Sequence, residues 1–181
     1  MRIISGQFKG KVIHPGKGFE ARPTTDFAKE SLFNILANHM DFEGSEILDL
    51  FSGTGSISLE FASRGAKHIE AIEGNHKYAA FIQKTAQELK LPQLLVFKTN
   101  VFVFLKTCTR KFDLIFADPP YDMDGIETLP EIILTKGLLK EDGIFILEHA
   151  KKLNFTKHPN LTDHREYGSV NFSFFEGEKK L

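Results

Sequence analysis

From Ser45 onward, continuous apolar runs alternate with stretches whose apolar residues recur every three to four positions. "EILDLF" is a run of the first kind, and after a glycine turn "SISLEFASRG" is a stretch of the second. "AKHIEAIE" then predicts a second strand. "NHKYAAFIQKTAQELKL" predicts a helix with Tyr78, Phe81, Ile82, Thr85 and Leu89 on one stripe. "QLLVFKT" predicts a third strand, "VFVFLKTC" a short helix and "KFDLIFAD" a fourth strand. "IETLPEIILTK" reads as a helix interrupted by its proline, and "GIFILEH" as a fifth strand. Strand and helix alternating in this way predict the α/β class, a parallel sheet with helices on both faces.

Both ends of the chain depart from the alternation. "LTDHREY" and "SVNFSFFEG" flank Gly168 with no helix between them, which predicts an antiparallel pair at one end of the sheet. At the start, the β-like pieces "RII" and "KVI" are separated by glycines. "RPTTDFAKESLFNILANHM" follows as a helix. Thr24 or Thr25 can cap it, Asp26 lies in its first turn, and Ala28, Leu32, Ile35 and His39 fall on one face. The expected organisation is an N-terminal arm and helix over residues 1–42 and an α/β domain over 43–181, forming one compact unit.

With 41% hydrophobic and 26% charged residues in 181, the chain can bury a core without disulfides or metals. The single cysteine, Cys108, excludes an internal disulfide, fits a reducing cytosol and is read as an inert thiol. No apolar run approaches the roughly 18 residues of a membrane helix, and the start has no signal-peptide h-region, so a cytoplasmic location is expected. The seven histidines are scattered without metal-ligand spacing, so no metal is expected. The 18 phenylalanines read as core, including the alternating Phe172, Phe174 and Phe175. No exposed apolar stripe stands out, which favours a monomer. A net charge of −1 says nothing about nucleic acid, but the first 22 residues set Arg2, Lys9, Lys11, Lys17 and Arg22 against the single acid Glu20. Such an arm suits a phosphate backbone; a solvated tail is the other reading.

In an open α/β sheet the ligand crevice lies at the carboxyl ends of the strands. "ILDLFSGTGSISLE" puts Asp49, Phe51, Ser52, Gly53 and Gly55 at the first of these ends. Glycines there admit a ligand to the backbone and to the free N–H groups of the following helix. The pattern is not a dinucleotide turn, because Ser58 stands where a third glycine belongs, nor a P-loop, because no Gly-Lys-Ser/Thr follows. An acid like Asp49 suits a cationic portion of a ligand. Glu73, 20 positions after Gly53, ends the second strand and can accept hydrogen bonds from both ribose hydroxyls. Asn100, followed by Val101, ends the third; its amide can pair with an adenine edge or form a turn. Together these describe a nucleoside ligand without phosphate, such as S-adenosylmethionine.

The fourth strand ends in "DPPYD". Pro119 and Pro120 stiffen the turn and hold Asp118 and Tyr121 in place. An exocyclic amine on a base offers two N–H donors, which Asp118 and the Pro119 carbonyl can accept, while Tyr121 offers a stacking face. The nitrogen lone pair then points at a sulfonium methyl group. Placement does most of the work, Asp118 stabilises the charge building on nitrogen, and the base must be unstacked to enter.

These residues resemble the class I S-adenosylmethionine-dependent methyltransferases, through Asp49 to Gly55 and through Asp118 to Tyr121 of the amino-methylating branch. "RIISGQFKGKVI", "RPTTDFAKESLFNIL", "LDLFSGTGSISLEFASRGA" and "REYGSVNFSFF" narrow the resemblance to the RsmD family, over almost the whole chain. That resemblance implies a Rossmann-like, seven-stranded, mostly parallel sheet whose last strand is antiparallel, with a small N-terminal β-hairpin and helix. It implies methylation of the exocyclic N2 of one guanine in 16S rRNA, within an assembled or partly assembled small subunit. It also implies that Arg22 to Thr25 close over the cofactor and substrate side. Ser58 and Asn75 depart from the family's usual Gly and Asp. Adenine-N6 methylation of RNA or DNA is the alternative within the branch. A protein glutamine methyltransferase would carry Asn in place of Asp118, a nicotinamide-dependent oxidoreductase leaves Asp118 and Pro120 without a role, and an inactive RNA-binding module has no need of the intact motifs.

Overall fold

The structure is a computed structural model that describes residues 1–16, 18–19 and 26–177. Among these, five helices and seven strands follow the order α1 (Asp26–Leu36), β1 (Glu46–Leu50), α2 (Ser56–Ser63), β2 (His68–Glu73), α3 (His76–Glu88), β3 (Leu94–Lys98), α4 (Val101–Thr107), β4 (Phe112–Ala117), α5 (Leu129–Thr135), β5 (Leu139–His149), β6 (Leu161–Tyr167) and β7 (Val170–Glu176).

The strands form one sheet in the order β3-β2-β1-β4-β5-β7-β6. The first five run parallel. β7 is antiparallel to both β5 and β6, as the helix-free tail predicts. The order reverses between β1 and β4, the position where open α/β sheets open a crevice. Two apolar layers cover the sheet. α1, α2 and α3 pack on the face carrying Ile47, Phe116, Ile146 and Phe172. α4 and α5 pack on the face carrying Leu48, Ile115, Phe145 and Phe175. Phe172, Phe174 and Phe175 are all buried.

Several local expectations are corrected. "RII" and "KVI" are not strands but one isolated antiparallel bridge between Arg2 and Val12. Helix α1 ends at Leu36, so His39 lies beyond it and is exposed; Lys29, Phe33 and Leu36 join Ala28 and Leu32 in the buried face. Pro130 interrupts nothing, because it lies in the first turn of α5, where its missing N–H is tolerated. A 3-10 turn, Ile126–Thr128, precedes that helix. β5 begins four residues before "GIFILEH", across a register shift against β4. Where no exposed apolar stripe was expected, Leu95 and Phe97 are exposed on the edge strand β3, with Val103 exposed on α4. The proposed caps Thr24 and Thr25 lie outside the described residues.

The arm is fastened to α2 by a buried acid. Glu60 is fully buried, and its carboxylate accepts the N–H groups of Ile4 (2.8 Å) and Ser5 (3.0 Å). The equally buried Lys29 lies 3.6 Å from Glu60 and donates to the Arg2 carbonyl at 2.6 Å. Burial pushes the Lys29 ammonium below its usual range, against the pull of Glu60 and Asp26. Gly6 is required by this docking: at φ 82° a Cβ would fall 1.9 Å from the Ser63 carbonyl oxygen.

Candidate functional site

A cavity of about 890 Å³ opens at the carboxyl ends of the parallel strands. Asp49, Glu73, Asp118 and Glu148 contribute carboxylates from β1, β2 and β5 and from the turn after β4. No lysine or arginine stands among its described lining residues. Such a field repels phosphates and favours a cationic ligand.

The first turn builds its floor. Phe51 adopts φ 61°, uncommon for a bulky residue, and turns the chain sharply off β1. Ser52 fixes that turn, its N–H donating to the Ile72 carbonyl (3.0 Å) and its hydroxyl to the Asp49 carbonyl (2.8 Å). Gly55 caps α2 at φ 76°, and a Cβ there would press against Ile82 at 3.0 Å. Asp49 is fully buried, and its Oδ2 accepts both the hydroxyl and the N–H of Ser58. Burial pushes the Asp49 carboxyl up to about 7, while the Ser58 hydrogen bond pulls the other way. Ser58, noted above only as a departure, therefore partners the acid that the turn presents.

Glu73 is held by two backbone donors, Gly53 N–H and Asn75 N–H, each at 2.7 Å. One lone pair on each carboxylate oxygen stays available for a diol. Asn75 caps α3 by accepting Lys77 N–H at 2.9 Å, a role that Asn fills as well as the family's usual Asp. Asn100 likewise caps α4, accepting from Phe102 N–H (2.9 Å) and Val103 N–H (3.2 Å). The turn-forming reading of Asn100 is thus correct for its oxygen, and the residue still lines the cavity beside Val101.

Across the crevice, Asp118 N–H reaches the Leu50 carbonyl at 3.4 Å, which ties the Asp-Pro-Pro-Tyr turn to β1. Pro119 is buried, Pro120 is exposed and Tyr121 is 39% exposed. The Pro120 carbonyl accepts Met123 N–H at 3.0 Å and closes the turn. The Tyr121 hydroxyl donates to Glu148 at 3.3 Å. Burial pushes the Glu148 carboxyl up to about 7, with the Tyr121 bond opposing.

One cavity therefore collects Asp49, Phe51, Ser52, Gly53, Glu73, Asn100, Val101, Asp118, Pro119, Pro120 and Tyr121. Gly55 supports it from behind. Arg22, Thr24 and Thr25 lie outside the described residues. Arg2, Lys9 and Lys11 are exposed on the arm, and Arg2 pairs with Asp26 at 3.4 Å. Arg2 and Lys9 share a second cavity of about 400 Å³ with Arg64, a base that the sequence reading did not single out. Glu148 and Tyr78 were also missed, as were Ser169 of the β6–β7 turn and Val170 at the start of β7. Among the described residues, no group of three or more His, Cys, Asp or Glu could hold a metal, and no helix is long and apolar enough to cross a membrane.

The family model described as "Conserved hypothetical protein 95" matches residues 1–176. The ribosomal RNA small subunit methyltransferase D of Escherichia coli K12 is 29% identical over 181 residues, covering 98% of this chain and 90% of that one. The chain belongs to the RsmD family. The solved structure of yhhF from Escherichia coli superposes with a TM-score of 0.85 at 27% identity, covering 99% of each chain. The Thermus thermophilus 16S rRNA N2 G1207 methyltransferase RsmC, solved with AdoMet and guanosine, shares the fold at a TM-score of 0.69 and 20% identity. It covers 88% of this chain, which spans 45% of that one. The chain thus has the Rossmann-like methyltransferase fold.

Proposed function

We propose that this RsmD-family protein transfers a methyl group from S-adenosylmethionine to the exocyclic N2 of a guanine in 16S rRNA, within the small ribosomal subunit. The carrying observation is one acidic crevice in which Asp49 and Glu73 face Asp118 and Tyr121 on a proline-stiffened turn. The naming of the Escherichia coli relative as a small subunit rRNA methyltransferase supports the substrate.

The residues present suit S-adenosylmethionine: it is a nucleoside, cationic and free of phosphate. It supplies a methyl group already activated by its sulfonium charge. Glu73 would accept the ribose hydroxyls, and Asn100 and Val101 would border the adenine. Phe51, Ser52, Gly53 and Gly55 shape the floor, and Asp49 offers its carboxylate to the cationic end. Thr24 and Thr25 complete the cofactor side of this reading. Asp118 and the Pro119 carbonyl accept the two N–H bonds of the target amine, leaving its lone pair aimed along the transfer line. Tyr121 stacks on the extruded base, and Pro120 keeps the turn rigid. Arg2, Lys9, Lys11 and Arg22 make residues 1–42 a phosphate-binding extension of the catalytic unit.

The test is methyl transfer from labelled S-adenosylmethionine to small subunits from a strain lacking this protein, followed by nucleoside analysis. Label is expected in N2-methylguanosine. Label in N6-methyladenosine would move the chain to the adenine alternative. Asp118→Ala is expected to lower turnover about 100- to 1,000-fold, since it removes charge stabilisation at the reacting nitrogen, with cofactor affinity within about tenfold. Unchanged turnover would remove the acceptor role.

A further inference from the structure

Glu148, the penultimate residue of β5, lines the cavity and is only 4% exposed. Ala117 pairs with Leu147 in the parallel β4–β5 ladder, so Asp118 and Glu148 follow side by side from adjacent strands. Alternation along the strands puts their side chains on the same face. One carboxylate oxygen of Glu148, Oε1, accepts the Tyr121 hydroxyl. The other, Oε2, is buried and has no hydrogen-bond partner among the described residues. A buried carboxylate oxygen without a donor is costly, and in a binding cavity it marks the place of a ligand's N–H or O–H.

The proposed substrate supplies such a donor. Next to its exocyclic amine, guanine carries a ring N1–H, where adenine carries a bare lone pair. Building on the guanine reading above, we propose that Glu148 is the specificity-determining residue, accepting the guanine N1–H at Oε2 while Asp118 holds N2. An adenine in the same pose would set its N1 lone pair against a carboxylate, which rejects it by repulsion as well as by a lost bond. Tyr121 then serves twice: its ring stacks on the base and its hydroxyl fixes the carboxylate that reads the base edge.

The probe is 2-aminopurine riboside, which keeps the purine frame and the amine on C2 but lacks the N1–H and the O6 carbonyl, so that the change between wild type and variant, not the wild-type preference alone, reports on N1. Its fluorescence reports binding to the protein saturated with S-adenosylhomocysteine, and guanosine is measured by competition. At about pH 8.5, where Glu148 is ionised, the wild type is expected to favour guanosine at least about tenfold. In Glu148→Gln the side-chain amide can donate to the lone pair of 2-aminopurine, so the preference is expected to vanish or reverse. Affinity for S-adenosylhomocysteine should stay within about threefold. An unchanged preference in the variant, or an equal loss of both nucleosides, overturns the role of Glu148. So does a wild type that binds both alike or neither. If Glu148→Gln fails to bind S-adenosylhomocysteine, Glu148→Asp is measured in its place. A preference reduced severalfold there supports the role, and an unchanged one overturns it. The guanine reading fails separately, through wild-type label in N6-methyladenosine on small subunits, and Glu148 falls with it. Label in N2-methylguanosine with an unaltered variant preference removes Glu148 alone.

Discussion

At the scale of single residues, the acids at the strand ends divide by what already holds them. Glu73 is orientated before any ligand arrives, by Gly53 and Asn75 N–H groups at 2.7 Å. A hydrogen bond to a charged acceptor is worth about 1.5–3 kcal/mol. Glu73→Ala is therefore expected to raise the Kd for S-adenosylmethionine roughly 10- to 100-fold in calorimetric titration, with the fold intact. An unaltered Kd would mean that the ribose is held elsewhere. Glu73 and Asp118 were legible in the sequence because each closes an apolar run, and Asp49 because it stands one residue before the end of its strand, the position where an α/β sheet presents its ligand. The same criterion picks out Glu148 at the end of "GIFILEH". It was passed over because no motif surrounds it. Ser58 was illegible for another reason: its link to Asp49 crosses nine positions of turn and helix, and only the folded turn brings them together.

At the scale of elements, the strands were easy to read, because buried parallel strands carry unbroken apolar runs such as "FDLIFA". The arm was not, since its order comes from one distant acid rather than from its own pattern. Glu60 binds the N–H groups of Ile4 and Ser5, pairs with the buried Lys29, and receives Arg64 Nε at 2.9 Å. Removing it leaves the buried Lys29 ammonium without its counter-charge and two part-buried N–H groups without their acceptor. Glu60→Ala should lower stability by about 3–5 kcal/mol in urea titrations. Hydrogen exchange at the Ile4 and Ser5 amides should accelerate as the arm detaches. A loss below about 1 kcal/mol, with protection at both amides retained, would show that the arm docks by its apolar contacts, of which Ile3 is the most buried.

For the whole molecule, two buried carboxyls of the acidic crevice contribute to the pH dependence of stability in the sense opposite to that of an ion-paired carboxylate. Burial raises the carboxyls of Asp49 and Glu148 to about 7 in the folded state, from ordinary values near 4. Between about pH 4 and 7 the folded chain holds protons that the unfolded chain has released. Stability conferred by these two groups therefore falls as pH rises through that window, by an amount on the order of 4 kcal/mol each once both are ionised. His149 acts in the opposite sense: its burial lowers its pKa, so its contribution declines as pH falls through its unfolded value. The difference between Glu148→Gln and the wild type isolates the carboxyl from the histidine. Urea titrations at about pH 5.5, 7 and 8.5 should show Glu148→Gln gaining on the wild type as pH rises. A constant difference across the series would mean that Glu148 ionises as an ordinary surface acid does. Cofactor binding follows from the same electrostatics. A cation beside Asp49 favours its ionised form, so binding of S-adenosylmethionine near pH 6.5 should release a fraction of a proton, read from titrations in buffers of different ionisation enthalpy. Release should vanish above about pH 8, where Asp49 is already ionised, and proton uptake at pH 6.5 would place the cationic end of the cofactor away from Asp49.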